Sequence, residues 1–387
     1  MRIVQIGPYP IERGRISGGV EASVFGLAQE QSLCHEVYAF DVPRLGGDSR
    51  VEHDGEVLVH RFRNTGTRQM ATSRQVKMIA DEICTLQPDI CHIHGTGLFQ
   101  WLMYKKLKRA KIKTIVTIHG LIRVEKRNML KKGMTPKRLF QYLYQGAVEK
   151  RFLSQLPVAI VDTEYVKEMV NNYPIRKKPA MQVVPQGINE DYFELECSPA
   201  SNVFLSVGAI IERKGHLLTL KAFEQLRKAG VEARLVIAGT VTSQSYLEQL
   251  QEAICNSEFR EDVSLYTDVS VNALKKLYED AHVFVLHTEE ESQGIVFAEA
   301  MATGLPVVST RVGGAPYVVK DGGTGLLSNY ADIVTFADNM KRLMTDEQLW
   351  KTMAKAAKSE AKVFHWNEIA SRVSDVYDLY GVETQSR

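Results

Sequence analysis

Short runs rich in β-branched and aliphatic residues recur along this chain, with amphipathic helical stretches between most of them. The first series reads Arg2–Ile6, His35–Phe40, Val57–Phe62, Asp89–His94, Thr114–His119, Val158–Asp162 and Met181–Pro185. Helical periodicity fills intervals such as Val20–Gln31, Ser73–Leu86 and Lys137–Leu153. Strand–helix–strand alternation requires crossovers, so it predicts a mostly parallel sheet with helices on both faces.

The alternation then restarts. Val203–Val207, Arg234–Ala238, Val263–Leu265, His282–Leu286 and Pro306–Ser309 read as strands, and Gly215–Lys228, Ser245–Ile254, Asn272–Asp280 and Ile295–Thr303 as the helices among them. A chain of 387 residues is long for one core and comfortable for two. Two consecutive series predict two Rossmann-like, doubly wound α/β domains. The join is expected near Asp191–Asn202, where apolar periodicity lapses and Pro199 appears. We therefore assign residues 1–194 to the first domain and 195–365 to the second. After Leu327 the pattern is helical, over Ala331–Leu343, Glu347–Val363 and Trp366–Tyr380.

Composition narrows the function classes. Hydrophobic residues make up 44% and charged residues 24%, a balance that excludes disordered, collagen-like and coiled-coil chains. No run of about 18 apolar residues offers a membrane span. The opening MRIVQIGPYP has no apolar signal core, which argues against secretion. Cys34, Cys84, Cys91, Cys197 and Cys255 are scattered and form no C-x-x-C pair, so neither a disulfide framework nor a structural zinc site is expected, and a reducing cytoplasm fits. The total charge of +2 hides an asymmetry: between Trp101 and Lys150 there are 14 Lys and Arg against Glu125 and Glu149. Such an excess points to an anionic ligand or surface.

In open α/β sheets ligands bind beyond the carboxyl ends of the strands, so the loops there are the candidate site. The first runs from Gly7-Pro8-Tyr9-Pro10 to Ser17-Gly18-Gly19-Val20 before a helix. Paired glycines let backbone N–H groups approach an anion, which the helix dipole favours. This loop is not G-x-G-x-x-G, so a dinucleotide fingerprint is absent. His92 and His94 end one strand and fall on one face, and His119 ends the next in TIHG. No acidic cluster with ligand spacing accompanies the histidines, so no metal site is expected. His92 and His94 read as core or cleft wall, whereas His119, followed by Gly120, is a site candidate. In the second half, Gly208 is followed by Arg213-Lys214-Gly215 before a helix, a pair able to hold a diphosphate. Finally, Glu291-Ser292-Gln293-Gly294 precedes the helix carrying Glu299, with seven residues between Glu291 and Glu299. Both carboxylates can face one ligand at that helix N-terminus, where N–H groups at Gln293–Val296 meet phosphate or sugar oxygens. Glu289 and Glu290 read as an acidic surface turn.

The stretch EESQGIVFAEAMATGLPVVSTRVGGAPYVVKDGGTGLL resembles the Glu-x(7)-Glu region of retaining glycosyltransferase family 4, of the GT-B fold. SVGAIIERKGH resembles its phosphate-binding loop, VVPQGINEDYF its interdomain segment, and FHWNEIASRVSDVYDLY its closing Trp-containing helix. The Gly18-Gly19 loop and TIHG resemble its N-terminal motifs. The motifs run in order along nearly the whole chain. Two positions depart from the family pattern: Ala209 stands where many members have Arg, and Glu291-Ser292-Gln293-Gly294 replaces the frequent Glu-Gly-Phe-Gly.

The resemblance implies a nucleotide-sugar donor in a cleft between the domains, with the last helix, 366–387, returning to the first domain. Glu299 would hold the ribose hydroxyls, and Glu291 would face the donor sugar beside the Gln293, Gly294 and Ile295 backbone. Arg213 and Lys214 would neutralise the diphosphate in place of a metal, with Gly19 approaching it, and His119 would lie beside the anomeric carbon. It implies a retaining, metal-independent hexosyl transfer, UDP favoured as the base and GDP next, to a glycan or lipid-linked acceptor in cell-surface polysaccharide or glycolipid synthesis. Interleaving Trp101, Phe140, Tyr142 and Tyr144 with Lys105, Lys106, Lys108, Arg109, Lys126, Arg127, Lys131 and Lys132, the basic region would rest on anionic lipid at the inner face of the membrane. The competing readings are a catalytically idle protein that binds a nucleotide sugar and an epimerase of the same fold. No groove-reading or zinc motif supports nucleic-acid binding.

Overall fold

The computed structural model describes residues 1–12, 18–42, 49–63, 73–124, 135–197 and 202–383. Ser17, Glu125, Lys126, Arg127, Lys131, Lys132 and Pro199, singled out above, lie outside the described residues, as does 384–387 of the last helical stretch. The chain divides into two compact units, Met1–Gln186 with Trp366–Arg387, and Gly187–His365.

The first unit holds an eight-stranded sheet in the order β3-β4-β2-β1-β5-β6-β7-β8. The strands are β1 (Arg2–Gly7), β2 (Glu36–Asp41), β3 (Arg50–Asp54), β4 (Val57–Arg61), β5 (Ile90–His94), β6 (Thr114–Ile118), β7 (Val158–Val161) and β8 (Ala180–Val183). Its helices are α1 (Gly19–Ser32), α2 (Ser73–Leu86), α3 (Leu98–Arg109), α4 (Pro136–Leu153) and α5 (Glu164–Asn171). All pairings are parallel except β3 with β4. The second unit is a six-stranded, all-parallel sheet in the order β11-β10-β9-β12-β13-β14. These strands are β9 (Val203–Val207), β10 (Arg234–Gly239), β11 (Val263–Thr267), β12 (Val283–Leu286), β13 (Val307–Thr310) and β14 (Gly325–Ser328). They alternate with α6 (His216–Lys228), α7 (Gln244–Cys255), α8 (Val271–Asp280), α9 (Ile295–Ala302), α10 (Ile333–Thr345) and α11 (Glu347–Glu360). The stretch read as one helix to Val363 changes at Ala361–Phe364 into a 3-10 turn, and α12 (Trp366–Glu383) follows.

Successive strand residues point to opposite faces, so each sheet feeds two cores. In the first unit Val4, Ile6, Ile93 and Val116 pack under α2 and α3, while Ile3, Val37, Val59 and Ile115 pack under α1 and α12. In the second, Leu205, Phe284 and Val307 meet α9, whereas Phe204, Ile237 and Val285 meet α6 and α10.

Helix α12 docks through a size constraint. A Cβ added to Gly26 of α1 would lie 2.1 Å from the Trp366 ring, so only hydrogen at this position admits the indole. Gly26→Ala is expected to destabilise the chain by about 1–3 kcal/mol or more through overpacking. Urea unfolding checks this, and an unchanged midpoint would show that Trp366 has another seat.

Candidate functional site

The candidate site residues of the second unit lie beyond the carboxyl ends of β9 and β12, with Glu299 in the helix that follows β12. Beyond β9 the chain passes Gly208 and a 3-10 turn, Glu212–Lys214, to Gly215, which stands before α6 with φ 61°. A Cβ on Gly215 would come within 1.9 Å of the His287 carbonyl oxygen, so this backbone-to-backbone approach requires glycine. The approach brings the loop after β9 against the loop after β12, and hydrogen bonds join them. Glu289 N–H donates to the Arg213 carbonyl (2.8 Å), and Arg213 Nη1 donates to the Glu290 carbonyl (2.7 Å). Lys214 Nζ lies 2.6 Å from Glu291 Oε1, with both side chains mostly buried. Thr288 Oγ1 donates to the same carboxylate oxygen at 3.1 Å, and the Glu291 carbonyl accepts from Gly314 N–H at 2.7 Å.

His216 shapes the start of α6. Burial pushes its pKa down to about 4, so near neutral pH the ring is uncharged. Its Nε2 lies 3.3 Å from both the Gly208 and Ala209 carbonyls and its Nδ1 3.2 Å from Ser206 Oγ. A neutral ring with Nε2–H donating to the carbonyls and Nδ1 accepting from the serine satisfies all three contacts.

Glu299 sits in the second turn of α9. Gly294 stands before that helix with φ 86°, and no side chain caps the first turn. Desolvation raises the Glu299 pKa to about 7, against the Tyr278 hydroxyl, which donates to Oε2 at 2.9 Å, and the Lys214 charge, both of which favour the ionised form. The site therefore gathers Gly208, Arg213, Lys214, Glu291, Gln293, Gly294, Ile295 and Glu299 along one edge of the second sheet. Lys214, expected to face a diphosphate, is ion-paired with Glu291, expected to face a sugar.

In the first unit Gly18 precedes α1, whose first turn has no side-chain cap, and among the described residues a Cβ on Gly18 would meet nothing within 4 Å. β6 ends at Ile118, one residue before His119, which is buried with Nδ1 2.9 Å from Asp162 Oδ2. The segment after it is tied down by Glu149, fully buried, whose carboxylate accepts from Thr96 Oγ1, Ile122 N–H, Arg123 N–H and Tyr173 OH. Burial still holds its pKa above the usual carboxylate value. His92 and His94 stack on each other, 4.4 Å between centroids, inside the core, and burial holds the His92 pKa at about 3. Among the described residues no group of three or more His, Cys, Asp or Glu side chains is placed to hold a metal ion.

Sequence reasoning missed Asp162, Gln186, Thr288, His216 and Tyr278. Asp162 stood at the end of a predicted strand, so the rule that found His119 also covers it. Tyr278 reaches Glu299 from a neighbouring helix, and nothing in the local sequence announces that contact.

The fold is that of many solved structures. Sucrose-phosphate synthase from Thermosynechococcus elongatus superposes with a TM-score of 0.82 at 18% identity over 99% of both chains. The Anabaena protein HepE in complex with UDP-glucose does so at 0.74 and 16% identity, over 98% of this chain and 99% of that one. The two parallel-sheet units with these likenesses define a GT-B-fold protein. The family model Glycosyltransferase Family 4 matches residues 17–192, and Glycosyl transferases group 1 matches 188–360. The chain belongs to the family 4 type of GT-B glycosyltransferases. D-inositol 3-phosphate glycosyltransferase of Xylanimonas cellulosilytica is 28% identical over 75% of this chain and 71% of its own length. The enzyme of the same name from a Nocardioides species is 27% identical over 93% and 85%.

Proposed function

We propose that this chain is a retaining hexosyltransferase that takes its sugar from a nucleotide-sugar donor, UDP favoured and GDP next. The observation that carries the reading is the junction of the loops after β9 and β12. There Arg213 and Lys214 lie beside Glu291 at the uncapped start of α9, with Glu299 in its second turn. Breaking the sugar–phosphate bond leaves negative charge on the diphosphate and positive charge on the ring. Arg213, Lys214 and the N–H groups of Gln293, Gly294 and Ile295 take up the first, and Glu291 faces the second. Glu299 accepts from the ribose hydroxyls. Their motif resemblance assigns the Gly18 and Gly19 N–H groups to the diphosphate and His119 to the reacting end of the sugar. The acceptor hydroxyl bonds to the anomeric carbon on the face the diphosphate leaves, and its proton passes to the departing phosphate oxygen. HepE, a protein of the same fold, is solved with UDP-glucose, which supports UDP as the first base to test.

Thermal-shift screening against UDP-glucose, UDP-galactose, UDP-N-acetylglucosamine and GDP-mannose tests the reading. A stabilising nucleotide sugar is expected, and none among them would sink it. Donor hydrolysis without acceptor separates an enzyme from an idle binder, and the anomeric configuration of the product tests retention. With two cations at the diphosphate, turnover is expected to be unchanged in excess chelator, and its loss there would place a metal in the reaction.

The acceptor reading rests on α3 and α4. Among the described residues from Leu98 to Ser154 the sole acidic side chain is Glu149, which is buried. Lys108, Arg109, Lys137, Lys150 and Arg151 are exposed, and α4 also exposes Phe140 (68%), Leu143 (59%) and Tyr144 (42%). Uncompensated cations beside exposed apolar side chains suit an anionic lipid surface, and hence a lipid-linked glycan acceptor in cell-surface polysaccharide or glycolipid synthesis. The chain is expected to co-sediment with phosphatidylglycerol vesicles and not with phosphatidylcholine vesicles. Equal binding to both, or none, would remove the membrane contact. No helix among the described residues is long and apolar enough to cross a membrane.

A further inference from the structure

Both ring nitrogens of His119 are engaged. Nδ1 lies 3.1 and 2.9 Å from the two carboxylate oxygens of Asp162, and Nε2 lies 3.1 Å from His94 Nδ1. The His94 and His119 rings stack at 5.3 Å with 11° between planes. Asp162, just past β7, is 1% exposed, and its Oδ2 also accepts from Gln186 Nε2 at 2.5 Å. On the far side His94 Nε2 is 2.8 Å from Gln5 Oε1, and Gln5 Nε2 donates to Gln31 Oε1 at 2.7 Å. Six buried side chains thus form one row, drawn from α1, β1, β5, the end of β6, the end of β7 and the segment after β8.

The row has a chemical direction. An ionised carboxylate only accepts, so the His119 nitrogen facing Asp162 carries its proton. On the other side Gln5 Oε1 accepts from His94 Nε2–H, so a neutral His94 turns its Nδ1 lone pair toward His119 Nε2. Turning the ring about χ2 would leave the buried Asp162 carboxylate with Gln186 and without the His119 N–H, a loss that a buried charge opposes. A histidine held by a carboxylate on one nitrogen has its tautomer and plane set by that bond.

We propose that Asp162 is a positioning residue for His119, holding a proton on Nδ1 and fixing the ring plane, with His94 as the second clamp. The catalytic consequence rests on the His119 role proposed above, whereas the Nδ1 proton does not. Nothing in the family motifs that singled out His119 includes Asp162.

Long-range 1H–15N spectra of the full chain labelled with 15N-histidine test the Nδ1 proton, with the His119 signals assigned by their loss in His119→Gln. The expected result is a protonated Nδ1 in the wild type and a changed Nδ1 signal in Asp162→Asn. A wild-type ring protonated on Nε2 alone, or an Asp162→Asn spectrum identical at His119, would overturn the proposal. The wild-type spectrum needs no variant to fold and no donor to bind, so it stands apart from the fate of the glycosyltransferase reading. For the catalytic consequence, Asp162→Asn is expected to lower kcat about tenfold or more with donor KM nearly unchanged. In the His119→Gln background the same change is expected to cost little. An equal loss in both backgrounds would mean that Asp162 acts without His119.

Discussion

Lys214→Ala is expected to lower kcat/KM for sugar transfer by at least about a hundredfold, with most of the loss in kcat. A prearranged cation that meets charge developing on a leaving group contributes about 3–4 kcal/mol in the transition state. Lys214 is prearranged in this sense: its ammonium is held 2.6 Å from Glu291 and its stem lies along Gly208, where an added Cβ would come within 3.3 Å of Lys214 Cδ. Removing it also leaves the mostly buried Glu291 without its cation, so the loop after β12 is expected to loosen. Arg213→Ala is expected to act in the same direction, since its guanidinium bridges to the Glu290 carbonyl. Steady-state kinetics on the cognate donor checks both, and a Lys214→Ala enzyme with near wild-type kcat would take the leaving-group role from this residue.

Donor binding is expected to weaken as pH falls through about 7. Burial raises the Glu299 pKa to about 7, so the ligand-free carboxyl takes up a proton as the pH drops past that value. Ribose hydroxyls donate best to the ionised form, and donor binding therefore displaces the proton. The Kd for a nucleotide sugar is expected to be about tenfold larger at pH 6 than at pH 8. Stability runs the other way: the unfolded carboxyl ionises at a lower pH than the folded one, so the Glu299 contribution to folding declines as pH rises from about 4.5 to about 7. Glu299→Gln is expected to remove this pH dependence and to cost about a hundredfold in affinity, as charge-assisted bonds to two hydroxyls are lost. Tyr278→Phe, which removes the hydrogen bond favouring the ionised form, is expected to move the affinity transition to higher pH. Calorimetric titration across pH 5.5–8.5 reads all three, and a pH-independent Kd for the wild type would separate Glu299 from the ribose.

Much of the fold was legible because buried parallel strands carry continuous apolar runs that little else in a chain imitates. All twelve predicted strands occur, with ends shifted by a residue or two. Two strands escaped for physical reasons. β3, RVEHD, is a polar antiparallel edge that leaves residues 50, 51 and 53 exposed, so no apolar signal marks it. β14, GLLS, is four residues long and begins at a glycine whose added Cβ would lie 2.1 Å from the Val307 carbonyl oxygen.

The sequence by itself determined two doubly wound α/β units and the loops at the strand ends, since residue type and period dictate which face of each element avoids water. It also determined which charged side chains those loops carry. Only the tertiary structure decided the pairings: Lys214 with Glu291, Tyr278 with Glu299, and Asp162 and His94 on either side of the His119 ring. Each joins groups on different elements, 21 to 77 positions apart, and hydrogen bonds of about 3 Å depend on how those elements pack. Period and composition carry no information about distances of that kind.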